Sequence, residues 1–165
     1  MNTTTRLHIE KAFLQASCNA ARKKIYALRA AQSGDTQLAK LFRAIALSED
    51  AQALRFLLQL RGQTGSSEQN RRTAFEEEIP ALIQTYLTGE DIAEKEQERA
   101  MQSAFSQSAR VQRMHLSLEK KLAKDSSKTN SYHVCSFCGF VMESNAPDEC
   151  PICTAPTSRF TSVSR

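Results

Sequence analysis

Tyr132-His133-Val134-Cys135-Ser136-Phe137-Cys138-Gly139, then Cys150-Pro151-Ile152-Cys153, are two Cys-x-x-Cys pairs with eleven residues between Cys138 and Cys150. Two residues between cysteines let one tight turn aim both sulfurs at the same point. Two such turns facing each other offer four thiolates to one tetrahedral ion. Gly139 suits a turn position where a side chain would collide. Backbone N–H groups of such a turn can point at the sulfurs and stabilise their charge. The competing reading is a pair of disulfides. It needs an oxidising compartment, and Met1-Asn-Thr-Thr-Thr-Arg-Leu-His has no apolar export segment. A reducing, cytoplasmic setting is therefore expected. Four thiolates take iron or zinc equally well by geometry, so the spacing leaves the metal open.

Outward from this stretch, Asp125-Ser-Ser-Lys-Thr-Asn-Ser reads as a polar linker. Upstream of it the sequence is built for helices. Gly34, Gly62, Gly65, Gly89 and Pro80 are the only glycines and proline before residue 130. They divide the chain into helix-length pieces at about 5–31, 36–61, 68–87 and 90–124, with a bend expected at Pro80. In the second piece Leu38, Phe42, Ile45, Glu49, Gln52 and Phe56 recur at helical spacing on one face. In the fourth, Met101, Ala104, Ser108, Val111, His115, Leu118 and Leu122 do the same. Four helices with short loops and one apolar stripe each make an antiparallel bundle. The domains expected are a bundle over 1–124, a linker over 125–131 and a four-cysteine domain over 132–165.

Composition bounds the function. The 165 residues carry a net charge of +4, and the part from Ser131 onward carries −1. The mild excess on the remainder lacks the dense basic patch of a nucleic-acid binder. No apolar run reaches the ~18 residues of a membrane span. Charged residues such as Arg22, Lys23, Lys24, Glu94, Glu96 and Glu98 read as solvated surface, Lys23 the least clearly so. Cys18 reads as a small, buried or half-buried residue.

The segment from Tyr132 to Phe160, with its Cys150-Pro-Ile-Cys153-x-x-Pro156-x-x-x-Phe160 ending, resembles the rubredoxin-like domain of rubrerythrins. The resemblance implies a single iron on Cys135, Cys138, Cys150 and Cys153 that shuttles single electrons, beneath a ferritin-like four-helix bundle. It is the resemblance that favours iron over zinc. It also implies a homodimer and an electron-donating reductase as partners.

Rubrerythrins reduce peroxide at a di-iron centre in the bundle, which takes a Glu from each of two helices and a Glu-x-x-His from each of the other two. This chain has no Glu-x-x-His: Thr5, Gln112 and Asn130 stand three residues before its histidines. By the resemblance, the first-helix ligand Glu falls on Ala16. Glu49 is kept, but its partner His is Gln52. Glu78 matches a third-helix ligand, with Ala81 or Leu82 at another, and His115 is kept, but its partner Glu is Gln112. Glu49, Glu78 and His115 are thus the residual bundle candidates. They are too few to hold a di-iron centre, and Gln52 and Gln112 can instead hydrogen-bond Glu49 and His115. The reading is a rubrerythrin-like electron-transfer protein whose bundle has lost its iron pair. The alternatives are a peroxide-reducing rubrerythrin with a modified bundle site, including a single iron on those three residues, and a non-enzymatic zinc-ribbon interaction protein.

Overall fold

The computed structural model describes residues 2–61, 65–124 and 131–163. The expected linker, apart from Ser131, lies outside them, as do residues 62–64 of the loop after the second helix. The chain divides into two compact units, Met1–Gly65 and Ser66–Arg165.

The first unit is a hairpin of α1 (Thr3–Gln32) and α2 (Thr36–Arg61). α1 begins earlier than the threonines suggest because Asn2 caps it, its side chain accepting from the Thr4 N–H at 3.0 Å. It ends where Gly34 takes φ +83°, and the Asp35 side chain accepts from the Leu38 N–H to start α2. The seam differs from the expected stripe. Ala20, Ala27 and Ala30 of α1 and Ala39, Ala46 and Ala53 of α2 are the buried residues. Small side chains let two backbones approach closely, so the helices meet along their narrowest edge. Phe42, Ile45, Glu49 and Phe56 flank it half-buried, and Gln52 is exposed. Leu7, Leu14, Leu28, Leu41, Leu47 and Leu54 remain exposed. Cys18 is exposed as well, contrary to expectation, because it points away from the alanine seam.

In the second unit, α3 (Ser67–Arg72), a π-helical turn (Thr73–Glu78) and α4 (Ile79–Lys95) run on as one continuous helix. Ser66 and Gln69 cap its start reciprocally, which explains the entry two residues after Gly65. The widened turn lies just before Pro80, where the missing N–H and the bulk of the ring disturb a regular helix.

The break expected at Gly89 is not there. α4 passes through Gly89, and the chain reverses instead at Glu96–Glu98, with Gln97 at φ +61°. α5 (Arg99–Lys124) then returns against α4. Gly89 is needed for packing: a Cβ there would lie 2.8 Å from the Phe105 ring. We expect Gly89→Ala to lower stability by about 1–3 kcal/mol through overpacking, despite alanine's better helix propensity. A urea titration followed by helical circular dichroism checks this.

After α5 comes a three-stranded antiparallel sheet, ordered β2-β1-β3, from β1 (Tyr132–Cys135), β2 (Val141–Glu143) and β3 (Phe160–Val163). Its core is Cys135, Cys150 and Phe140, closed by Val111 of α5. Lys121 of α5 pairs with Glu143 of β2 at 3.1 Å. No described helix is long and apolar enough to cross a membrane.

Candidate metal centre

The two cysteine pairs sit on matching turns. Cys135 ends β1, and its N–H donates to the Phe140 carbonyl, while the Gly139 N–H donates back to the Cys135 carbonyl at 2.9 Å. In the second turn the Cys150 N–H donates to the Ala155 carbonyl and the Thr154 N–H to the Cys150 carbonyl, each at 2.8 Å. The residue after each pair is left-handed: Gly139 at φ +80° and Thr154 at φ +59°. A β-branched residue is strained in that region. We expect Thr154→Gly to raise the melting point of the metal-loaded domain, a gain of about 1 kcal/mol less the added flexibility of the unfolded chain. Gly139→Ala should lower it by a similar amount.

The turns bring the four sulfurs together. Cys135 Sγ lies 3.7 Å from Cys153 Sγ, and Cys138 Sγ lies 3.6 Å from Cys150 Sγ. All four lie within 4.8 Å of one another. A tetrahedron with metal–sulfur bonds of ~2.3 Å has edges of about 3.8 Å, so the spacing fits one ion in a thiolate cage. A disulfide would need sulfurs about 2.0 Å apart, and all five cysteines are free. These four residues are the one group of three or more metal-capable side chains among the described residues.

Backbone donors face the sulfurs. Burial pushes the Cys135 thiol up, but the N–H groups of Cys138 and Phe137 turned to its sulfur outweigh it, and the thiol is lowered. Burial raises Cys138 against the opposing Phe140 N–H, and raises Cys153 against that of Ala155. Such N–H groups offset the charge that four thiolates and one cation leave behind. Val111 and Met114 of α5 pack on one side of the cage. Phe137, beside Cys138 in sequence, is 72% exposed.

The three bundle candidates have other surroundings. Glu49 Oε1 accepts from Lys23 Nζ at 2.8 Å, and both side chains are largely covered. Its other oxygen is buried with no described partner. Gln52 does not serve Glu49; its amide reaches Ser48 at 3.3 Å. Glu78 is exposed at the end of the π-helical turn. His115 Nδ1 and Gln112 Oε1 are 3.1 Å apart, while His115 Nε2 is buried. Burial holds the imidazole below its ordinary value, with the Gly139 carbonyl opposing.

Two participants escaped sequence reasoning. Lys23 is one; its place three residues after Ala20 in the alanine seam could have marked it as inward-facing. The contact of α5 with the cysteine turn is the other, and the sequence carries no signal for it.

Residues 133–161 match the family of the rubrerythrin rubredoxin-like domain. That segment of the chain is rubrerythrin-like. Three solved structures of nigerythrin share its fold: the mixed-valent state and the fully reduced, all-ferrous state at TM-score 0.54, and the partially reduced state at 0.55. Each is 20% identical and is aligned over 96% of this chain and 86% of its own length. This chain thus has four long helices followed by a small rubredoxin-like domain. No curated protein matches it in sequence.

Proposed function

We propose that this rubrerythrin-like protein is an electron carrier with one iron in the four-cysteine site and none in the bundle. The observation that carries this is the sulfur cage, with two opposite edges of 3.7 and 3.6 Å, all four sulfurs within 4.8 Å of one another, and backbone N–H groups turned to them. Iron in that cage would accept and release one electron within an unchanged tetrahedral shell. The chain's part is to hold the shell. The two turns fix the sulfurs, their N–H groups offset the negative charge, and Val111 and Met114 keep water from one side. Phe137 leaves the Cys138 side open to a redox partner, in keeping with a donor reductase. The iron states named for the nigerythrin structures favour iron over zinc.

The bundle reading rests on Lys23. A di-iron centre needs carboxylates to balance two cations, and Glu49 already has an ammonium at 2.8 Å. Ala16 and Gln52 cannot replace the missing ligands. The residues present do not fit an iron pair, and peroxide reduction at such a pair is not part of this proposal. The exposed leucines of α1 and α2 suit a second copy of the chain, and the free thiols suit a reducing cytoplasm.

Metal analysis of protein purified from its native source tests the reading. One iron per chain is expected, with visible absorption that bleaches on reduction. Three irons per chain, or peroxide turnover that depends on bundle-bound iron, would overturn it. A colourless zinc protein would establish the interaction-module alternative.

A further inference from the structure

One face of α5 carries charge of a single sign. At about 100° per residue, Arg99, Arg110, Arg113, Lys120, Lys121 and Lys124 fall within one arc of about 100°. All six are exposed. The one carboxylate of α5, Glu119, lies on the opposite side of the helix and pairs with Arg71. Lys121 pairs with Glu143 of β2. The other five have no carboxylate within ion-pair reach among the described residues. A solvated helix face ordinarily mixes both signs and gains pairs one turn apart. This face does not.

Part of the face is hollowed. Arg99, Gln102, Gln107 and Arg110 line a groove of about 310 Å³ with Glu90 of α4 and Ile152 of the second cysteine turn. Ile152 stands between Cys150 and Cys153 and packs, half-buried, against the core that holds Cys135, Cys150 and Val111. A group seated in the groove therefore rests against a side chain flanked in the turn by two of the four sulfur ligands.

We propose that this groove and the basic face of α5 are the docking surface for an acidic electron-donor protein, whose carboxylates meet Arg99 and Arg110. This rests on the carrier reading above and adds the charge of the donor and its seat. One electron passes from the reduced donor to the oxidised centre. The donor is oxidised by one, the centre is reduced by one, and no proton moves. A field of one sign beside the point of entry speeds encounter and aligns the partner before contact. A row of cations also attracts a phosphate backbone. Glu90 favours the protein: a phosphate chain brings only negative charge to that carboxylate, whereas a protein surface can bring a lysine or an amide.

The test uses the iron-loaded full chain and a small acidic flavodoxin, reduced, as the donor. The second-order rate of reduction, followed in stopped flow by bleaching, should fall roughly tenfold or more between about 0.02 and 0.3 M salt. At low salt, Arg110→Glu should slow it about tenfold, and Arg110→Lys should leave it within about twofold. Lys40→Glu makes the same change of charge at an exposed position of α2 and should barely slow it. Helical circular dichroism and iron per chain should match wild type in each variant, so that a slower rate reports docking. In the zinc-loaded, diamagnetic protein, oxidised flavodoxin should shift the NMR amide signals of residues 99–113 and of Ile152, and Arg110→Glu should remove those shifts. A rate indifferent to salt, equal slowing by Lys40→Glu, or unmoved amides on this face would overturn the proposal. So would tighter binding of a DNA duplex to the face at the same salt, or self-association that Arg110→Glu abolishes. A native zinc protein would defeat the carrier reading, and the amide shifts would still decide whether an acidic protein docks here.

Discussion

Replacing Cys150 by Ala should abolish metal binding and unfold the C-terminal sheet, while leaving the helical signal of α1 to α5 largely intact. Cys150 is 1% exposed and is one of the buried residues of the small core. Besides the cysteines, the small domain itself contributes Phe140 and the partly buried Met142, Ile152, Ala155 and Phe160 to that core, with Val111 and Met114 added from α5. A domain so small cannot offset its chain entropy by apolar burial alone. The metal supplies the difference, on the order of 10 kcal/mol for a thiolate site of this kind. Three thiolates leave an open, water-exposed position and forfeit much of that. Iron content, the visible bands and amide dispersion of residues 132–163 in NMR report the loss together. A variant that kept one tightly held iron would show that the cage is not the principal site.

Lys23→Met should destabilise the α1–α2 hairpin by about 1–3 kcal/mol. It leaves the Glu49 carboxylate largely covered and without its cation. The two side chains are 22% and 18% exposed, so water screens part of the effect and the upper range for fully buried pairs does not apply. The exposed pair of Lys24 with Asp50, at 2.6 Å, should contribute far less. Adding Glu49→Gln to Lys23→Met should recover most of the loss, since the uncompensated charge is then gone. Urea midpoints of the single and double variants give the coupling. Iron per chain should stay at one in Lys23→Met. A rise would mean that Lys23 was competing with a cation for Glu49, and that the bundle retains a usable site.

The metal centre could be read from the sequence because each Cys-x-x-Cys is a local turn, and two of them suffice to build a tetrahedron. The helices could be read because their apolar periodicity is local too. Gly89 misled because its usual meaning, a break, gave way to close packing against Phe105, sixteen positions along. The stripe of Leu38 and Phe42 misled for a related reason: bulk marks hydrophobicity, but the seam formed where bulk was least, at Ala39, Ala46 and Ala53.

By itself, then, the sequence determined the helices and the four-cysteine cage. Only the tertiary structure decided that Glu49 pairs with Lys23, that Val111 of α5 packs against the first cysteine turn, and that Thr154 takes a left-handed turn. Helix periods and turn motifs are set within a few residues. The partner of a charge is set by which side chains two packed elements bring within 3 Å, and that distance is invisible until the chain has folded.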